Sequence, residues 1–215
     1  MRIAVIGSGI SGLSVAHLLS KKHQVDLFEK EDHFGGHSYT IETPTGNTDE
    51  FISIDLGFIV FNKINYPNLV QLFDFLNVSY EESNMSFSVS VKNSNIEYCG
   101  SGLSGLFSNK YNILNFNFLK MIKEIISFYR EAEKINEEDC QDHTLGDFLK
   151  DKKMSNYFIN FHIIPMVAAI WSMPLDLAQK MPMLLFLNFF KNHGLFKIKK
   201  RPEWYTVTGR SKVYV

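Results

Sequence analysis

The sequence predicts an α/β fold with a second, α+β part inserted into it. Three observations carry this prediction. A short apolar run ends on Gly7-Ser8-Gly9-Ile10-Ser11-Gly12 and leads through a helical pattern to a second strand that closes on Glu29. A further glycine pair, Gly35-Gly36, follows within a few residues. Beyond about residue 78 the hydrophobic period changes, first to that of a hairpin and then to that of helices, until about residue 195.

Ile3, Ala4, Val5 and Ile6 are apolar and partly β-branched, as expected of a strand buried on both faces of a parallel sheet. In the turn that follows, Gly7 takes the sharp bend and Gly9 admits a pyrophosphate to the backbone. Gly12 allows the next helix to pack close to the strand. That helix spans about residues 10–21, with Leu13, Ala16, Leu18 and Leu19 inward, and its free N–H groups aim at an anion. Ser11 adds a hydroxyl. Val25, Leu27 and Phe28 form the second strand, and Glu29 follows Gly12 by seventeen residues. A carboxylate there accepts from ribose hydroxyls and repels a 2′-phosphate, which disfavours NADP. The unit is Rossmann-like.

The same glycine pattern recurs at Gly100-Ser101-Gly102-Leu103-Ser104-Gly105. Here it leads into Phe107, Asn109, Lys110, Tyr111 and Asn112, and no strand ending in an acidic residue follows at the right distance, so it is expected to be a flexible loop. Arg2 before an apolar run raises the possibility of a signal peptide. Glycines and serines interrupt that run and no small-x-small site precedes Lys21-Lys22, so the mature chain is expected to begin at Met1.

After Glu29 come Lys30, Glu31, Asp32, His33 and Phe34, and then Gly35-Gly36-His37. Simple NAD-binding folds have no need of this second glycine pair. Here the chain resembles the superfamily of FAD-dependent flavin-containing amine oxidases, protoporphyrinogen oxidases and phytoene desaturases, in which the ribose-binding Glu is followed shortly by Gly-Gly and then Arg or a substitute. His37 stands in that last place as a weaker, titratable donor. The stretch from Ile54 to Asn62 resembles the superfamily's passage beside the flavin ring, which would put Gly57, Phe58 and Ile59 next to the isoalloxazine. An ordinary strand with a glycine bulge is the other reading. A bacterial subgroup of NAD/FAD-binding proteins is also similar over Met85 to Ser90, Ala168 to Ser172, and Asn192 through Arg201-Pro202-Glu203-Trp204.

The resemblance implies an incomplete Rossmann-like FAD-binding domain over residues 1–78, an inserted α+β substrate domain over residues 79–195, and the start of a return to the first domain over residues 196–215. It thus covers the amino-terminal half of such an enzyme. A truncated product, one half of a split enzyme with a complementary carboxy-terminal chain, and an incomplete sequence are the three readings of that end.

The chain has 215 residues, 45% hydrophobic and 21% charged, with net charge −1. It can bury a sizeable core, and its charge gives no reason to expect nucleic acid. Lys197, Lys199, Lys200 and Arg201 form a basic cluster, expected to be a solvated face. Cys99 and Cys140 make no disulfide framework or Cys-x-x-Cys pattern, so a reducing cytoplasm is expected and both are read as bystanders. His33, His37 and His162 match no metal spacing, and no metal is expected.

Further along, Pro67 opens an amphipathic helix with Leu69, Leu72, Phe73 and Leu76 inward. Met85, Phe87, Val89 and Val91 alternate with serines, residues 92–95 turn, and Ile96, Glu97 and Tyr98 return as a second strand. Phe118, Ile122, Ile125, Tyr129 and Ala132 mark a long helix, and Thr144 caps a short one through Asp147. Residues 154–175 carry no Asp, Glu, Lys or Arg, yet include Asn156, Asn160, His162, Pro165 and Pro174. This predicts a broken, buried helix lining a cavity rather than a membrane span. Residues 183–190 are too short to span and are read as core, with an apolar substrate tunnel or a peripheral membrane contact as other uses.

With FAD held as the resemblance implies, the expected reaction is hydride transfer from an apolar substrate to flavin N5, the substrate being an amine, a polyene or a fatty-acyl chain. Phe158, Phe161, Trp171, Phe186, Phe189 and Phe190 suit such a substrate. No catalytic residue is nominated. The alternative is a non-catalytic FAD- or nucleotide-binding fragment. A nicotinamide-dependent dehydrogenase is disfavoured by Gly35-Gly36.

Overall fold

A computed structural model describes residues 1–46, 50–92, 94–140, 142–197 and 201–215. The chain divides into two compact units, residues 1–85 with 203–215, and residues 86–202.

In the first unit, β1 (Arg2–Ile6) leads through the glycine turn into α1 (Ile10–Ser20) and then to β2 (Gln24–Phe28), which pairs parallel to β1 with Ile6 opposite Phe28. This is the β-α-β order that parallel pairing requires. β3 (Thr40–Pro44) and β4 (Phe51–Asp55) form an antiparallel pair. α2 (Pro67–Leu76) starts at a proline, whose missing N–H is one that no helix start can satisfy internally, and it turns Phe73 into the core. β5 (Tyr80–Ser83) takes as its partner a strand from the far end of the chain. The core of this unit is small. Among the described residues it consists of buried Phe61, Phe73, Val78 and Val207 with partly buried aromatic and aliphatic side chains around them.

The second unit opens with β6 (Ser88–Ser90) and β7 (Glu97–Cys99), the antiparallel hairpin that the alternation predicts, with Val89, Ile96 and Tyr98 buried. The repeated glycine triplet is not a loop. Its later part forms a short helix, α3 (Gly102–Leu106), in which Gly105 packs so close to the Cys99 carbonyl that a Cβ would stand 2.7 Å from it. α4 (Phe116–Ala132) is capped by the Asn115 side chain, which accepts from Phe118 N. It buries Phe118, Met121, Phe128, Tyr129 and Ala132 along one face, at the 3–4 spacing of a helix. α5 (Leu145–Asp151) begins with a capping box in which Thr144 and Asp147 satisfy each other's backbone N–H, as Thr144 led us to expect.

The apolar stretch after residue 154 is a broken, buried helix: α6 (Asn156–Phe158), a π-helical turn over Ile159–Ile163, and α7 (Ile164–Trp171). Pro165 has no N–H to offer the Phe161 carbonyl one turn back, and the Tyr98 hydroxyl donates to that carbonyl instead, at 2.8 Å. Since this uses the only Tyr98 proton, His162 Nδ1, at 3.0 Å, must donate to the Tyr98 oxygen. His162 Nε2 then accepts from Tyr129 Oη at 3.0 Å. A buried histidine is thereby satisfied as one neutral tautomer. α8 (Leu175–Ala178) and α9 (Met183–Asn192) complete the unit. Met183, Phe186, Leu187 and Phe190 of α9 are fully buried, so residues 183–190 serve the core. No helix among the described residues is long and apolar enough to cross a membrane.

The chain then re-enters the first unit. β8 (Trp204–Val207) pairs antiparallel to β5, and a single turn over Ser211–Val213 follows. Ser211 donates through its backbone N and its hydroxyl to Asp55 at 3.0 and 2.7 Å, fixing the last residues against β3 and β4. Of the basic cluster, Lys199 and Lys200 lie outside the described residues, as does Asn93 of the turn expected over residues 92–95.

Candidate functional site

The site begins at the carboxyl end of β1. Gly7 takes φ +89°, open to a residue without a Cβ, and its N–H donates to Phe28 O of β2 at 2.7 Å. The turn it starts delivers Gly9 as the residue preceding α1. No side chain caps this helix and no acidic residue lies in its first turn, so its leading N–H groups stay available to an anion. A Cβ on Gly12 would stand 1.9 Å from the Gly7 carbonyl oxygen, which is why α1 can run so close to the strand end.

Gly35-Gly36 completes the cradle. Gly35 N donates to Ser8 O at 2.9 Å, and Gly9 and Gly35 form a bridge of β type. At Gly36, φ +58°, a Cβ would lie 3.2 Å from Gly9 Cα. The second pair therefore brings the loop after Glu29 against the first glycine turn, a contact that side chains would prevent.

Glu29 stands beside this turn. Oε2 accepts from Ser8 N at 2.7 Å and from the Ser8 hydroxyl; Oε1 accepts from Lys30 N at 2.7 Å and Glu31 N at 3.0 Å. These donors, the Ser8 hydroxyl foremost, hold its carboxyl down at about 2, so that it is a carboxylate at any ordinary pH. All four acceptor directions of the carboxylate are occupied. Of its donors, only the Ser8 hydroxyl can turn away without moving the backbone.

A cleft of about 1000 Å³ opens on the cradle. Gly7, Gly9, Ser11, Gly12, Gly35, Gly36, His37 and Phe58 are on its wall; Glu29, Gly57 and Ile59 are not. Gly57 follows the end of β4 rather than bulging from a strand, and a Cβ there would stand 2.2 Å from the His37 carbonyl oxygen. Phe58 N donates to that oxygen at 2.7 Å. Gly57 and Phe58 thus hold the His37 turn in place, and only the Phe58 ring reaches the cleft. Ile59 is 52% exposed, and its carbonyl accepts from Thr206 Oγ1. The other reading of Ile54 to Asn62, one strand with a glycine bulge, does not hold, since β4 ends at Asp55 and Phe61 joins Tyr205 only as an isolated bridge.

Sequence reasoning missed Ser38, Tyr66 and Tyr214. All three line the cleft. Tyr214 Oη donates to Ser38 Oγ at 2.8 Å, and burial pushes the Tyr214 hydroxyl upward. Nothing local marks Tyr214, since its role depends on the chain's return from residue 203. Of the aromatic residues expected at a substrate, Phe158, Phe186 and Phe190 are fully buried in the core of the second unit; Phe161, Trp171 and Phe189 are partly buried against it. His33 Nδ1 lies 3.2 Å from Asp32, its ring stacked on Tyr39. Among the described residues no three metal-binding side chains come together.

A glycine cradle in which a Cβ at Gly12, Gly35 or Gly36 would meet neighbouring backbone, an uncapped helix start and an ionised Glu after β2 are the donor and acceptor set of a dinucleotide's pyrophosphate and ribose. The residues present fit such a cofactor.

Residues 5–76 match the model of the NAD(P)-binding Rossmann-like domain. No curated protein matches the sequence. Putrescine oxidase, in its wild-type structure bound to putrescine, is similar with a TM-score of 0.59 at 18% identity, over 100% of this chain and 48% of that one. Cyclohexylamine oxidase from Brevibacterium oxydans is similar with a TM-score of 0.59 at 15% identity, over 99% of this chain and 47% of that one. An oxidoreductase from Methanosarcina mazei has a TM-score of 0.54 at 18% identity, over 100% of this chain and 47% of that one. At these identities the likeness is one of fold, and the chain spans about half the length of the structures it matches. Its amino-terminal part is related to NAD(P)-binding Rossmann-like domains, and the chain folds like the amino-terminal half of amine-oxidase flavoproteins.

Proposed function

We propose that this chain binds FAD in the cleft over its two glycine turns and serves an oxidoreductase of the amine-oxidase type. The observation that carries the reading is the contact between the turns: Gly36 seated on Gly9, with Glu29 held ionised alongside. A nicotinamide cofactor needs only the first turn. The start of α1, with Gly7, Gly9, Ser11 and Gly12, would hold the pyrophosphate, and Glu29 the adenosine ribose, the Ser8 hydroxyl yielding its place on Oε2. Gly35, Gly36 and His37 would close over the phosphates, and Phe58 would border the ring system; Gly57 supports both through the His37 carbonyl. When bound, FAD supplies a hydride acceptor for oxidation of a C–H or C–N bond. The substrate proposed is apolar: an amine, a polyene or an acyl chain.

A second reading is favoured by α1. Apolar residues lie on all sides of this helix, as on helices covered all round, yet none of them is buried, and Val15 and Leu18 are exposed. In this reading the chain holds the nucleotide, and a complementary polypeptide covers α1 and completes the enzyme.

The test is the absorption spectrum of the purified chain, with mass spectrometry of the small molecule released by heat, followed by titration with FAD, NAD and NADP. One equivalent of FAD, bound more tightly than NAD and much more tightly than NADP, supports the reading and justifies screening amines and unsaturated lipids for flavin bleaching. A colourless chain that takes up no FAD overturns it for this polypeptide alone. If adding a complementary chain then restores the flavin spectrum, the second reading stands.

A further inference from the structure

We propose that the second unit carries a surface for anionic membrane lipid, built by the turn over Lys110–Leu114 and the start of α4. Here the usual polarity of a surface turn is inverted. Asn112 is buried, its Nδ2 donating to Glu97 O at 2.9 Å and Leu106 O at 3.3 Å. Asn109 Oδ1 accepts from Tyr111 N, and its Nδ2 donates to Asn95 O. Asn115 caps α4. The polar side chains thus face the backbone, and the apolar ones face outward: Leu114 is 88% exposed, Phe116 79% and Tyr111 74%, with Ile113 and Leu119 beside them. Single exposed apolar residues are ordinary; five within nine residues, held outward by three asparagines, are not.

The charge around them selects the partner. From Tyr98 to Lys123 the sequence has no Asp or Glu, and it carries Lys110, Lys120 and Lys123, against a net charge of −1 for the whole chain. All three lysines are exposed, and none joins an ion pair among the described residues. On α4, Phe116, Leu119, Lys120 and Lys123 recur at helical spacing on the side away from Phe118, Met121 and Phe128. Leucine, phenylalanine and an amphipathic tyrosine beside lysines match the acyl boundary and the negative headgroups of a bilayer. A second copy meeting the same patch across a two-fold axis would set these lysines near their own counterparts, which is unfavourable. The surface lies within the second unit, apart from the cleft and from residues 183–190, which serve the core.

The experiment is sedimentation of the full chain with vesicles of phosphatidylcholine alone and of phosphatidylcholine with phosphatidylserine, at low and at physiological salt. Binding is expected only with phosphatidylserine and is weakened by salt. Neutralising the lysines as Lys110→Gln, Lys120→Gln and Lys123→Gln weakens binding about fivefold per lysine. The Leu114→Ser, Phe116→Ser double variant weakens it about tenfold or more, with an unchanged circular dichroism spectrum. Equal binding to both vesicles, no binding at low salt, or correctly folded variants that bind like the wild type would each overturn the proposal. So would light scattering that shows a dimer, dispersed by the double variant, in a protein that ignores vesicles, since a second copy would then cover the patch. The wild-type comparison of lipids and salts decides the matter even if a variant fails to fold.

Discussion

Two glycines three positions apart separate binding from folding. At Gly9 a Cβ meets nothing within 4 Å and φ is −63°, so Gly9→Ala should fold with a stability within ~0.5 kcal/mol of wild type. Its methyl nonetheless stands where a phosphate would approach the backbone. Gly12→Ala drives a methyl into the Gly7 carbonyl and should cost on the order of 1–3 kcal/mol as α1 moves off the strand end. Urea unfolding together with FAD titration checks the pair: Gly9→Ala loses affinity alone, Gly12→Ala loses both. Equal behaviour of the two would show that the glycines serve packing only. Ser8 permits a titration test. The Ser8 hydroxyl is the largest cause of the low Glu29 value, so Ser8→Ala should raise the Glu29 midpoint from about 2 toward the ordinary carboxyl range, as read by carbon NMR of the side chain. The sign for stability follows. Glu29 is depressed in the folded state, so its contribution is complete above the unfolded value of 4.5 and is lost as pH falls through about 2; in Ser8→Ala that loss begins at higher pH. A Glu29 midpoint unmoved by the substitution would rule out the hydroxyl as its cause.

The π turn over Ile159–Ile163 places His162 where it cannot take a proton cheaply. Burial lowers its pKa from 6.5 to about 3 while Tyr98 and Tyr129 satisfy the neutral ring. Once unfolded, the ring binds a proton below about 6.5, so the stability conferred by the neutral form is complete above that pH and declines as pH falls toward 3. Between pH 6.5 and about pH 4 this one residue should remove roughly 3 kcal/mol. His162→Gln, which keeps a donor and an acceptor, should show a shallower decline in urea titrations across that range even though it is less stable at neutral pH. Parallel declines would show that His162 does not dominate the acid limb. Much at this scale was legible in the sequence. The β1-turn-α1-β2 unit, the helix from Pro67, the hairpin around Val89 and Tyr98, α4 and the Thr144 cap each have local signals, namely a hydrophobic period and a stop or cap residue. The exceptions depend on distant groups. Gly102–Leu106 is a helix whose Gly105 packs on the Cys99 carbonyl, the Asp55 carboxylate at the end of β4 is held by Ser211 from the other end of the chain, and the Tyr98 hydroxyl reaches the π turn at Phe161 from across the unit. In the cleft the glycines and Glu29 could be read from spacing alone, whereas Ser38 and Tyr214 acquire their places only when the chain returns.

At the scale of the whole molecule the two units are unequally stabilised. Among the described residues, the first unit buries four apolar side chains in its core, Phe61, Phe73, Val78 and Val207, and fully buries no residue of α1. The second closes β6, β7, α4, α5, α7 and α9 around fully buried Phe118, Phe158, Phe186 and Phe190, with many further buried neighbours. Hydrophobic stabilisation follows apolar area removed from water, so the first unit should unfold at the lower denaturant concentration and the chain should not be two-state. The sequence supplies the probes, because it has two tryptophans, Trp204 in β8 of the first unit and Trp171 in α7 of the second. Trp171→Phe leaves a reporter on the first unit and Trp204→Phe one on the second. The expected result is an earlier urea transition for Trp204 fluorescence than for Trp171. If FAD is held as proposed, at about 100 times its dissociation constant it should stabilise the Trp204 transition by about 2.7 kcal/mol while leaving the Trp171 transition in place, since only the folded first unit would bind it. Coincident transitions that shift together would mean that the units fold as one body and that the small core around Phe61 and Phe73 is stabilised by more than its own side chains.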